Sequence, residues 1–63
     1  MRLSEFWDRM DAGFGAIYAR SLAKDYRVPA LEATVEEALA RGDDPKVVWR
    51  AVCVALEVPA ALR

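Results

Sequence analysis

The segment Asp44-Pro45-Lys46-Val47-Val48-Trp49-Arg50-Ala51-Val52-Cys53-Val54-Ala55-Leu56-Glu57-Val58-Pro59 constrains this chain more than any other. Asp44 is a good N-cap, and Pro45 suits the first helical position, where the missing N–H has no partner to lose. Pro59 lacks the N–H that a continuing helix needs. A helix is therefore predicted over 45–57. Its valines are β-branched, but the Asp-Pro start and the length favour a helix over a strand. Lys46, Arg50 and Glu57 fall on one narrow strip, with Cys53 beside it and Val47 and Val54 at the other border. Val48, Trp49, Ala51, Val52, Ala55 and Leu56 fill the opposite arc. A helix that is apolar on nearly every side must be enclosed by its own domain or by a partner. The expected fold is all-α: a small three- to four-helix bundle with the C-terminal helix central. Helix 1, helix 2 and the segment from Leu31 to Leu39 are expected to cover it.

The covering helices are legible from spacing. Leu3, Phe6, Trp7, Met10 and Phe14 recur at helical intervals. Ser4 is placed to cap the start, Glu5 favours the positive end of the helix dipole, and Glu5 and Arg9 form an i,i+4 pair. Gly13 and Gly15 suggest a helix end and a tight turn. Tyr18, Leu22 and Tyr26 mark one side of a second helix, with Ile17 extending it. Pro29 disfavours helical geometry at Val28 and ends it. Thr34-Val35-Glu36-Glu37 matches the capping box of a short third helix, facing inward through Val35, Ala38 and Leu39, with Gly42 as its left-handed C-cap. Residues 1–63 thus read as one domain with helices at about 4–13, 16–26, 35–41 and 45–57, and without strands. Ala60 to Arg63 reads as a short tail. The expected core is Phe6, Trp7, Met10, Phe14, Tyr18, Leu22, Leu31, Leu39, Val48, Trp49, Val52 and Leu56.

A chain of this size buries only ~60% of the surface its unfolded state exposes, so its margin of stability is narrow. Covalent or metal staples are not expected. A single cysteine forms no internal disulfide, and a chain with no histidine offers one thiolate and scattered carboxylates, which is not a zinc site. Nine basic residues against ten acidic ones give a net charge of −1, which argues against general attraction to nucleic acid or anionic membrane. No apolar run approaches the ~20 residues of a membrane span. A lone cysteine and an amphipathic N-terminus without a signal-peptide core fit the cytoplasm.

Catalytic chemistry finds little support. Cys53 has no histidine to deprotonate it and reads as a packing residue. The carboxylate pairs Glu36-Glu37 and Asp43-Asp44 sit at helix starts, where capping explains them. Helix 3, the Gly42-Asp43-Asp44 turn and helix 4 have a helix-turn-helix outline, but an Asp-Asp-Pro start would repel phosphates. Trp7 and Trp49 are expected in the core, packed together. Two surfaces remain. Arg20, Lys24 and Arg27 lie at i, i+4 and i+7 as a basic stripe on helix 2. Val47 and Val54 form a spare apolar flank on helix 4, open to a protein partner or a second copy of the chain.

Two stretches carry a family resemblance. Met1-Arg2-Leu3-Ser4-Glu5-Phe6-Trp7-Asp8-Arg9-Met10 and Asp44-Pro45-Lys46-Val47-Val48-Trp49-Arg50-Ala51-Val52-Cys53, followed by Val58-Pro59, resemble a small actinobacterial family catalogued as domain of unknown function 3046. The resemblance covers nearly the whole chain. It implies a compact single domain and, because some members are encoded beside the DNA-pairing recombinase and its regulator, a DNA-repair context. It implies no activity, cofactor or site residue. The apolar Val54 departs from the polar or acidic residue expected there in relatives. Residues and resemblance together lead to one expectation: a non-catalytic cytoplasmic interaction or regulatory module without a cofactor. The alternative is a weak nucleic-acid-binding accessory protein using Arg20, Lys24 and Arg27.

Overall fold

A computed structural model describes residues 1–63. In chain order it contains α1 (Leu3–Phe14), α2 (Ala16–Asp25), β1 (Arg27–Val28), a 3-10 turn (Pro29–Leu31), β2 (Ala33–Thr34), α3 (Val35–Ala40), α4 (Pro45–Ala55) and a second 3-10 turn (Ala60–Leu62). The fold is mostly helical, with four α-helices and one small sheet.

That sheet corrects the all-α expectation. β1 and β2 are antiparallel, with Arg27 opposite Thr34 and Val28 opposite Ala33. The cause is local. Pro29 keeps Val28 extended (φ −79°, ψ 118°), and Glu32 takes a left-handed conformation (φ 51°) that reverses the chain. Two extended residues on each side of the reversal then pair. Strands of two residues are too short to produce an alternating sequence pattern.

Helix ends differ from the reading in instructive ways. α1 begins at Leu3 with Arg2 in the N-cap position and no side-chain cap, so Ser4 lies inside the first turn and does not cap. Gly13 remains helical; the break falls at Gly15 alone, whose φ of 85° and ψ of 145° only glycine adopts readily. α2 stops one residue early because Tyr26 is extended, leading into β1. α4 stops at Ala55, and Glu57 (φ 53°) turns the chain so that Val58 N–H donates to the Cys53 carbonyl at 3.0 Å. The residues after Pro59 form a 3-10 turn rather than a loose tail.

The expected caps of α3 and α4 are present. Glu37 N–H donates to Thr34 Oγ1 at 3.1 Å, and Thr34 N–H donates to Glu37 Oε1 at 2.9 Å, which closes the capping box. Asp44 Oδ1 accepts from Lys46 N–H at 2.9 Å. Gly42 has a φ of 98° after α3. Arg41 ties this turn to the connector: its Nη2 donates to the Leu31 carbonyl at 2.9 Å and to Asp43 Oδ2 at 2.7 Å.

Sixteen residues are buried, all of them apolar, so packing holds the fold together. α4 supplies five of them, Val48, Trp49, Ala51, Val52 and Cys53, and occupies the centre. Its neighbours are α1, α3 and the connector of β1 and the first 3-10 turn, whereas α2 packs chiefly on α1 and α3. Phe6 is fully enclosed and touches Trp7 and Trp49 edge-to-face, with centroids 5.2 and 6.2 Å away. Phe6 therefore takes the place between the tryptophans that direct packing of the two would have filled.

The core expectation fails at Tyr18, which is exposed, as is Ile17. The buried face of α2 is Ala19, Leu22 and Ala23. A one-residue link at Gly15 holds α1 and α2 close, so alanines fit the seam and the larger side chains turn outward. Tyr18 keeps an edge contact with Phe14, 6.3 Å between centroids. Trp7, Phe14, Leu39 and Leu56 are partly buried against the core. Val58 is covered by the chain itself. No helix is long and apolar enough to cross a membrane.

Candidate functional site

The larger concavity is a half-open groove of about 570 Å³ between α1, α4 and the C-terminal turn. α1 contributes Glu5 and Arg9, with Met1 just before it. α4 contributes Lys46, Trp49, Arg50, Cys53 and Val54, and Arg63 closes the end. The walls are charged and the floor is apolar. Four of the nine basic side chains of the chain line this groove, beside one of its ten acidic ones. Counted by formal charge, the groove side chains carry +3 and all the others −4, which gives the net −1.

The four cations are held in two ways. Arg9 Nη1 donates to the main-chain oxygen of Arg63, in place of the Glu5 pairing expected from i,i+4 spacing, and Arg63 Nε donates to the Val58 carbonyl at 2.8 Å. Both guanidiniums are thereby anchored on main-chain oxygens rather than on acidic side chains. Lys46 and Arg50 are exposed one turn apart on α4, and neither has an ion-pair partner. The two ion pairs of the molecule lie elsewhere, Arg20–Asp11 at 2.8 Å and Arg41–Asp43 at 2.7 Å.

Two floor groups have distinctive chemistry. Trp49 is nearly enclosed, and its Nε1–H is buried with no hydrogen-bond partner in the protein. Cys53 is buried and free. Burial pushes its thiol pKa up, and the fields of Arg63 and Arg9 only partly oppose this. A thiol in that state is a poor nucleophile at neutral pH.

The residues singled out in the sequence are dispersed. Arg20 Nη1 binds Asp11 Oδ1, and its guanidinium carbon lies 4.1 Å from the centroid of the Trp7 ring. This uses the cation inside the fold through an ion pair and a cation–π contact. Lys24 is exposed in the last turn of α2. Arg27 is past the helix, on β1, where its charge helps lower the Glu37 carboxyl. The three do not continue as one helical stripe. Val47 and Val54 are 51% and 67% exposed and share a face of α4, being seven residues apart. Val54 borders the groove; Val47 does not line it.

Sequence reading missed Arg9 and Arg63 as neighbours of Lys46 and Arg50. Arg9 and Arg63 are separated by nearly the whole chain, and no local pattern joins them. Lys46 and Arg50 did carry a signal: like charges at i,i+4 with no acid three or four residues from Arg50.

The molecule is thus a small mostly helical domain with a basic, apolar-floored groove. The family model described as "Protein of unknown function (DUF3046)" matches residues 1–61. The chain belongs to that family, as its N-terminal and α4 motifs suggested. No curated protein and no solved structure matches it.

Proposed function

We propose that this domain is a non-catalytic interaction module that docks a protein partner inside the cell, with the α1–α4 groove as the docking face. The observation that carries this reading is the separation of charge: +3 around one groove in a chain whose other side chains sum to −4. Exposed Val54 and the apolar floor add the desolvated contact that protein interfaces use at their centres. The absence of catalysis is part of the proposal. It is supported by a Cys53 thiol pushed toward its neutral form and by carboxylates that serve caps and ion pairs. The genomic neighbourhood implied by the family resemblance makes DNA recombination or repair the setting to search.

The alternative through Arg20, Lys24 and Arg27 has weaker support, because Arg20 is committed to Asp11 and Trp7 and Arg27 is off the helix. The test is site-specific photo-crosslinking in cells. A crosslinker at Val54 is expected to capture one reproducible protein, and a crosslinker at Ser21, on α2, is expected not to. Equal capture at both positions, or none at Val54, overturns the proposal.

A further inference from the structure

Lys46 and Arg50 stand where the fold itself gives them little reason to be. They are i,i+4 neighbours of like charge, an arrangement that destabilises a helix. Lys46 follows Pro45 in the first turn of α4, where the helix dipole disfavours a cation. Neither is paired within the molecule. Across the groove, Arg9 and Arg63 are positioned by main-chain oxygens and pair with no acidic side chain. Four cations, two anchored on main-chain oxygens and two without a partner, surround an apolar strip, and no acidic side chain of the molecule pairs with any of them.

On the reading of this groove as a docking face, we infer that its occupant is an acidic segment of the partner protein carrying a large apolar side chain. Its carboxylates meet Lys46 and Arg50 on one wall and Arg9 and Arg63 on the other. Its apolar side chain rests on Val54 and Cys53. The side chains outside the groove sum to −4 and on balance repel such a segment, which favours the groove. The volume of about 570 Å³ lies in the range usual for ligand sites. A nucleic acid fits less well. Single strands need exposed aromatic faces on which to stack, and Trp49 is 4% exposed.

The test uses the full chain with Trp7→Phe, which leaves Trp49 as the sole indole reporter at the groove. Three probes are titrated by fluorescence and calorimetry: a short peptide with Glu residues around a central Leu, the same peptide with Gln for Glu, and a single-stranded oligonucleotide. The acidic peptide is expected to bind, with affinity that weakens as salt rises. The Gln peptide is expected to bind at least about tenfold more weakly. Lys46→Glu with Arg50→Glu is expected to reduce acidic-peptide affinity by at least about tenfold while the circular dichroism spectrum and melting temperature hold. Lys24→Glu is expected to change nothing. The inference is overturned if the acidic peptide fails to bind at low salt, if the Gln peptide or the oligonucleotide binds as well, or if the double charge reversal has no effect. It is also overturned if the groove mediates self-association that the same reversal abolishes. A partner captured at Val54 together with a silent acidic peptide removes this inference and leaves the docking reading standing; no capture removes both.

Discussion

Two glycines two residues apart should respond to alanine with opposite signs. Gly13 is inside α1, and a Cβ built on it meets Trp49 Cη2 at 3.9 Å, an ordinary van der Waals contact. Alanine there lowers the entropy of the unfolded chain and adds a favourable contact, worth about 0.5–1 kcal/mol of stability. Gly15 has open space around its Cβ position, so sterics with neighbours cost nothing. Its φ of 85° with ψ of 145° is the whole cost, about 1–3 kcal/mol for a residue with a side chain. Domains of this size shift by about 4–8 °C per kcal/mol. Gly13→Ala should therefore raise the melting temperature by roughly 2–8 °C, and Gly15→Ala should lower it by roughly 4 °C or more. The total stability expected for 63 residues is only about 3–9 kcal/mol, so the second change removes a visible fraction of it. Thermal and urea unfolding followed by circular dichroism read both. Equal effects at the two sites, or a destabilising Gly13→Ala, would refute the assignment of the α1–α2 break to Gly15 alone.

Thr34→Ala removes the side chain that accepts from Glu37 N–H and should cost about 1 kcal/mol, measured as a lower urea midpoint. Acid should destabilise the fold through two carboxyls held below their ordinary range, Glu37 by the Thr34 N–H bond and Asp43 by the Arg41 fork. A depressed folded pKa contributes stability above the unfolded value of ~4 and loses it as pH falls through the folded value, so the urea midpoint should drop below about pH 4, and less so in Glu37→Gln. Cys53 should react with a thiol probe far more slowly in the native protein than in denaturant at neutral pH; equal rates would contradict its burial. Lys46→Glu should leave stability unchanged or raise it by about 0.5 kcal/mol, because it replaces repulsion of Arg50 with attraction. The neighbouring Asp44 carboxylate holds that gain down, and a loss of 1 kcal/mol or more would mean that Lys46 is paired within the fold.

The helices were legible because their signals are local. The Thr34–Glu37 box, the Asp44-Pro45 start and Pro29 act through adjacent backbone groups, and each is found where the sequence placed it. The burial of α2 was not legible. Tyr18 and Leu22 are four apart and look like one stripe, but the seam with α1 is set by the closeness that Gly15 imposes, which selects Ala19 and Ala23. The small sheet escaped because its cause is the positive φ of Glu32, a conformation that the residue type does not announce. The site was half legible. Lys46, Arg50 and Val54 lie on one helix and their spacing could be read; Arg9 and Arg63 join them only through the packing of α1 and the last turn against α4.

The position of the cations follows a logic that separates folding from binding. Where the fold needs a cation, it supplies a counter-charge: Arg41 holds Asp43 and the Leu31 carbonyl, and Arg20 holds Asp11 and the Trp7 face. These side chains close turns and helix seams, and their charge is used up locally. Around the groove the pattern reverses. Arg9 and Arg63 are oriented by main-chain oxygens rather than by acidic side chains, and Lys46 and Arg50 have no ion-pair partner and lie one turn apart along one helix edge. A sequence shaped by stability alone would place an acid at one of those two α4 positions, which spacing makes easy. Two unpaired cations beside an apolar floor are what the proposed docking face would use, its counter-charge arriving on another molecule. The proposed docking face would also give exposed Val54 a use: at the lip of the basic groove it widens the apolar strip that an incoming side chain would cover.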